Sequence, residues 1–237
     1  NLFANELKEQ SIARWNKDKN RVEVRCEKRL GAILLQSAPD PHPDPAIYVD
    51  ILVEKVLDNL GEYLPPGFLE RAQYAGVAEL DQANLQSNAQ VWLAPLLDGR
   101  RDLNLSPARF ADAALGALDW DVRQRFERAA PTHFTSPAGT KHGVDYTGDD
   151  APSVEVRVQA LFGLDQHPMV GRTPLLLKLT SPAGRPIQST RDLPGFWRGS
   201  WADVAKDMKG RYPKHRWPDQ PWTQKPSLKT KNAFNRG

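Results

Sequence analysis

The densest chemistry in this sequence lies near its end. Lys206, Lys209, Arg211, Lys214, His215 and Arg216 crowd into one short stretch, interleaved with Tyr212, Pro213, Trp217 and Pro218. Cations at this density repel one another unless water or anions surround them. Lys and Arg neutralise phosphates, and aromatic faces stack on bases, so the stretch is a candidate nucleic-acid contact. The aromatic residues carry a second reading. Phe196, Trp197, Trp201, Tyr212 and Trp217 would anchor an extended strap on a core or enter a partner's groove, with Pro213 and Pro218 stiffening the strap. Residues 205–237 hold nine Lys and Arg against Asp207 and Asp219, a balance of +7, whereas the whole chain carries +3. The end of the chain is therefore its electrostatic pole.

Other chemistry is weaker. No Gly-x-x-x-x-Gly-Lys-Ser/Thr loop is present to cradle phosphates, and no Asp-Glu-x-His box to hold magnesium. Ala138-Gly139-Thr140-Lys141 is too short to serve. No catalytic residue is assigned, and no cofactor is expected in this chain. His133, His142 and Asp145 lie close in sequence, but their spacing fits no helix face and no zinc pattern, so they read as surface groups of a hairpin loop and no metal site is assigned. Ser136 and Ser181 lack the strand–turn–helix setting of a nucleophile elbow. Cys26 is the one cysteine. It excludes an intrachain disulfide and a multi-cysteine zinc site, and it fits a reducing, cytoplasmic setting.

The elements that must position these groups follow from periodicity. Residues 7–16 and 21–35 read as a β-hairpin around Asn16-Lys17-Asp18-Lys19-Asn20. Val22 and Val24 alternate with charged residues, and Ala32–Leu35 forms a short apolar run that would be a buried strand end. Residues 37–45 are a proline-rich linker. Asp44 caps and Pro45 starts a helix whose apolar face is Ile47, Ile51, Leu52, Val56 and Leu60, ended by Gly61. Two short helices are expected in 66–98. One long helix is expected over 106–129, with Ser106 as cap. After Pro131 the pattern turns to β, with strands around Val154–Val158 and Pro174–Thr180. A last helix begins at Ser200 with Asp203 in a capping-box arrangement, carries Trp201, Val204, Ala205 and Met208 on one face, and stops at Gly210.

The fold class is thus α+β: an N-terminal β-hairpin over 1–36, an OB-like remnant; a helical middle over 37–130; a small C-terminal antiparallel α+β domain over 131–223; and a flexible basic tail over 224–237. No apolar run approaches the roughly 20 residues that span a bilayer, so no membrane is expected. The polar start, Asn1 to Gln10, is unlike a signal peptide. It lacks an initiator Met and reads as a fragment boundary.

Three stretches carry a resemblance. Ala130-Pro131-Thr132-His133-Phe134-Thr135-Ser136-Pro137-Ala138-Gly139, running to Asp145-Tyr146, is one. Leu179–Leu193 with Phe196-Trp197 is the second. Lys209-Gly210-Arg211-Tyr212-Pro213-Lys214-His215-Arg216-Trp217-Pro218-Asp219 is the third. Together they resemble the C-terminal part of bacterial HrpB-type DExH-box helicases, supported by Arg29-Leu30-Gly31-Ala32 and Trp92–Gly99. The resemblance implies a parent protein whose two RecA-like motor domains lie upstream of Asn1, bind ATP with magnesium and act on nucleic acid, RNA foremost. It implies nucleic acid and those motor domains as partners of this region, with recruitment of another protein as the alternative role. The family's ATPase motifs match no position here, so no catalytic residue carries over.

Overall fold

The computed structural model describes residues 7–236. Residues 1–6 of the polar start lie outside them. Contacts divide the chain into two compact units, one of residues 1–69 and 77–120, the other of 70–76 and 121–237. The division falls between Trp120 and Asp121 rather than near residue 130, and the N-terminal strands share a unit with the helices that follow.

The first unit opens with β1 (Leu7–Asn16), β2 (Arg21–Leu30) and β3 (Ile33–Pro39), an antiparallel meander in that order. The expected hairpin therefore has a third strand. Gly31, at φ +58°, makes the tight reversal where a single long strand was expected. Trp15 faces Val22 and Ala13 faces Val24 across the ladder, and both valines are buried. On the opposite face Glu27, 1% exposed, takes Arg14 at 3.3 Å and Arg29 at 2.9 Å. A buried carboxylate is tolerated there because two guanidinium groups meet it. The apolar run is not a buried strand end. Ile33 is 63% exposed, and Leu34 and Leu35 are exposed beside it. An OB barrel has about five strands, and this sheet has three.

Helices build most of the rest of this unit, although residues 70–76 and 121–129 among them belong to the second unit. Asp44 accepts from the Ala46 N–H at 3.0 Å and starts α1 (Pro45–Asp58), which buries Tyr48, Leu52, Val53 and Val56. The chain breaks at Asn59, before Gly61, and resumes as α2 (Leu60–Tyr63). The region read as two short helices holds four: α3 (Phe68–Ala75), α4 (Gln82–Ser87), α5 (Ala89–Trp92) and α6 (Ala94–Leu97). Gly76 at φ +66° follows α3, Asp81 caps α4 by accepting from Asn84 N–H at 2.7 Å, and Pro95 sits in the first turn of α6. Such punctuation recurs too often for a long helix. The expected helix over 106–129 is two, α7 (Pro107–Gly116) and α8 (Trp120–Ala129), and the break lies beside the unit division. Ser106 makes no side-chain capping bond.

The second unit carries β4 (His133–Thr135), β5 (Lys141–Gly143), β6 (Ser153–Arg157), β7 (Met169–Val170), β8 (Thr173–Pro174), β9 (Leu176–Thr180) and β10 (Pro186–Thr190). Then come α9 (Leu193–Arg198), α10 (Trp201–Arg211) and α11 (Lys231–Asn235). Its main sheet has the order β10-β9-β6. β9 and β10 are antiparallel, but β6 and β9 are parallel, so the antiparallel expectation is corrected to a mixed sheet. Residues 158–175 between them, a 3-10 turn and the small β7–β8 hairpin, supply the long crossover that parallel pairing requires. Thr-Ser-Pro-Ala-Gly occurs twice, at 135–139 and 180–184, and folds the same way both times. Ser136 and Ser181 are buried, Gly139 and Gly184 stand at φ +78° and +77°, and each Ser N–H donates to the carbonyl four residues on.

The core of this unit packs Val154, Val156, Leu177 and Leu179 of the sheet against Phe162, Leu193, Phe196, Trp197 and Trp201. Segment 70–76 is stitched into it. Arg71 Nε donates to the Ala130 carbonyl at 2.6 Å, and Tyr74 donates its hydroxyl proton to the Val170 carbonyl at 2.8 Å. Residues 221–223 form a 3-10 turn whose Pro221 carbonyl accepts from Gly163 N–H at 2.9 Å, and Trp222 and Leu228 pack against the core. Among the described residues, no helix is long and apolar enough to cross a membrane.

Candidate nucleic-acid interface

The six cationic candidates separate into distinct environments once folded. α10 is amphipathic, with Trp201 and Met208 buried. Lys206 and Lys209 are exposed and three residues apart, so they are neighbours on one flank of the helix. Arg211 points to the other flank, where Nε meets Asp207 at 3.1 Å. Ser200 does not cap this helix; its hydroxyl donates to Gln188 Oε1 at 2.9 Å. α10 runs one residue past Gly210, to Arg211.

The segment after the helix turns part of its charge inward. Lys214 is exposed, while His215 and Arg216 are half-buried. Burial holds the His215 imidazole below its ordinary pKa, and the nearby Arg157 charge adds to this. His215 therefore contributes no full charge near neutral pH. The Arg216 guanidinium donates to the Lys225 carbonyl at 2.7 Å and to Gln224 Oε1 at 3.0 Å. It also lies 3.8 Å from the centre of the Phe234 ring. Arg216 is occupied by the chain's own tail. Lys206, Lys209 and Lys214 make no ion pair among the described residues.

The aromatic candidates form one cluster. The Trp201 ring lies 5.2 Å from Trp197, 5.8 Å from Phe162, 6.0 Å from Phe196 and 6.1 Å from Trp217. Each indole N–H finds a carbonyl: Trp197 at Leu164, Trp201 at Pro218 and Trp217 at Tyr212, all within 3.0 Å. Trp217 is 8% exposed, so its face is not offered to a base. Tyr212 is half-buried, and its hydroxyl oxygen accepts from Ser181 Oγ at 3.3 Å.

The weaker candidates are placed as well. The His142 ring bonds Thr140 Oγ1 at 2.8 Å, and Thr140 bonds Ser136 Oγ at 2.8 Å, which ties the first Thr-Ser-Pro-Ala-Gly turn together. His133 bonds the Thr132 hydroxyl beside it. Asp145 accepts from Thr147, whose hydroxyl and amide bonds hold its carboxyl below the usual range. Among the described residues, no group of three His, Cys, Asp or Glu could share a metal. Sequence reasoning missed Phe234 and the tail carbonyls that hold Arg216, because nothing in local periodicity links positions this far apart.

Fold and surface together define an α+β region with a cationic helix flank beside an aromatic core. A family model, HrpB_C, described as ATP-dependent helicase C-terminal, matches residues 92–221, which include all three family-like stretches. The ATP-dependent RNA helicase HrpB of Escherichia coli (strain K12) is 42% identical over 155 residues, covering 64% of this chain and 19% of that protein. A crystal structure of the E. coli DExH-box NTPase HrpB superposes with a TM-score of 0.70 at 30% identity, over 94% of this chain and 29% of that one. A second, of the E. coli DEAH/RHA helicase HrpB, gives 0.59 at 27% identity over 90% and 29%. The chain belongs to the HrpB-type helicase C-terminal family. It spans less than a third of the length of each relative it matches.

Proposed function

We propose that this chain is the non-catalytic C-terminal accessory region of an ATP-dependent helicase, and that it contacts nucleic acid, foremost RNA, through Lys206, Lys209 and Lys214. The observation that carries the reading is that these three ammonium groups are exposed and unpaired among the described residues, within a segment of balance +7. Unpaired, solvated cations are what a phosphate chain needs. ATP and magnesium belong to the motor domains of the parent protein in this reading. The setting is the cytoplasm.

Fluorescence anisotropy with a labelled single-stranded RNA tests it. The chain binds at low salt, and replacing all three lysines by Gln weakens binding and flattens the salt slope by about 2 units, given ~0.7 for each single-strand phosphate contact. A folded chain that shows no binding at low salt overturns the proposal. A second reading, docking onto the motor domains or another protein, is favoured by the exposed Ile33-Leu34-Leu35 end of the N-terminal sheet. If it holds, Ile33→Asp with Leu35→Asp abolishes capture of separately purified motor domains while RNA binding persists.

A further inference from the structure

The tail of the chain has a role beyond closing the fold. Beyond Leu228, which packs against the core, its docking depends on few contacts. α11 has five residues, far fewer than the ~12–15 an isolated helix needs in water. Arg216 holds the Lys225 carbonyl, the Gln224 side chain and the Phe234 ring at once. The Lys231 N–H donates to the Lys214 carbonyl at 2.9 Å. These bonds hold the Lys225 backbone against the Arg216 guanidinium and the Lys231 backbone against that of Lys214. Between Pro213 and Arg236 the sequence offers Asp219 as its one acid. Arg157 also lies near His215. Docking therefore gathers like charge, which favours an anion shared between the two segments.

We propose that residues 224–236 are the second half of a composite polyanion site, in which the tail, docked through Arg216 and Phe234, sets Lys225 and Lys231 beside Lys214. The site rests on the nucleic-acid reading above and extends it from one helix flank to two segments. A polyanion spanning both halves binds the docked form more tightly than the released one, so binding and docking stabilise each other. Arg216 and Phe234 are positioning residues. Their own groups face each other rather than the ligand.

Phe234→Ala separates the two ideas, because it removes no charge. The complete chain and the variant are titrated with a fluorescein-labelled single-stranded oligouridylate, and both are digested with trypsin. Lys225 precedes Pro226 and resists trypsin, so cleavage after Lys229 and Lys231 reports release of the tail. The expected result is faster cleavage there and affinity weakened ~3–10-fold. Arg216→Lys, which keeps the charge but loses the two-pronged bonding and the stacked plane, weakens affinity in the same direction. Oligouridylate protects the tail of the unaltered chain from trypsin. A Phe234→Ala chain whose tail is cut faster but which binds equally overturns the composite site and leaves the three-lysine reading standing. Unchanged cleavage in both variants overturns it too. An unaltered chain that does not bind removes the nucleic-acid reading and this inference together.

Discussion

Arg71 and Tyr74 bond segment 70–76 to the rest of the second unit, and Arg71→Met tests the larger share, that of Arg71. The side chain is buried, with Nε 2.6 Å from the carbonyl of Ala130, itself fully buried, and the guanidinium carbon 4.1 Å from the Phe126 ring centre. Met keeps most of the stem and loses both interactions. An unmade bond from a charged donor to a buried carbonyl costs ~1.5–3 kcal/mol, and the stacking adds ~1 kcal/mol. Relief of the guanidinium's burial, which pulls its pKa down, offsets part of this. The net loss is about 2 kcal/mol, roughly a 30-fold increase in local opening. The Glu127 partner, at 3.3 Å, is 41% exposed, so Glu127→Gln costs less than ~1 kcal/mol. Native-state hydrogen exchange at residues 70–76 and 126–130 reads both values. Unchanged exchange in Arg71→Met refutes the reasoning. So does a Glu127→Gln variant that opens as readily, because the ion pair rather than the carbonyl would then hold the segment.

Other perturbations follow from the same unit. Trp201→Ala empties the centre of the aromatic cluster and strands the Pro218 carbonyl, costing ~3–5 kcal/mol; loss of the near-ultraviolet circular dichroism of the second unit reads it. Gly163→Ala places a methyl group 2.8 Å from the Gln224 carbonyl oxygen at φ +84°, so the tail must shift, and trypsin then cuts after Lys229 faster than in the unaltered chain. His142, His167 and His215 are each held below 6.5 by burial first of all, and the His167 ring also takes the Leu193 N–H at 3.0 Å. The unfolded chain binds more protons than the folded one in that range, so stability is present above pH 6.5 and falls as pH drops below it. Urea midpoints between pH 7 and 5 measure this, and a His167→Phe variant with an unchanged slope excludes His167 from the effect.

How much was legible in the sequence depends on how local each signal is. Asp44 before Pro45 marked a helix start, because a cap needs a side chain beside its own backbone. Alternation at Val22 and Val24 marked a strand with one buried face. The family-like stretches marked the parentage, since long runs of unusual residues are specific. The single helix over 106–129 failed because apolar spacing continues across Ala117–Asp119 while the two halves pack largely in different units. The parallel pairing of β6 with β9 was invisible, because alternation reads a strand's faces and says nothing of its direction.

The cationic stretch shows the boundary most clearly. Residue order alone established that positive charge gathers at the end of the chain, that aromatic residues lie among it, and that no phosphate-cradling loop accompanies it, because charge and motif are properties of composition and spacing. Helix spacing already pairs Arg211 with Asp207 four residues before it. Tertiary structure decided the rest: it turned Arg216 under Phe234, buried the faces of Trp201 and Trp217, and left Lys206, Lys209 and Lys214 in water. The reason is physical: a side chain's availability depends on which groups from distant parts of the chain reach it first, and folding rather than sequence neighbourhood sets those distances.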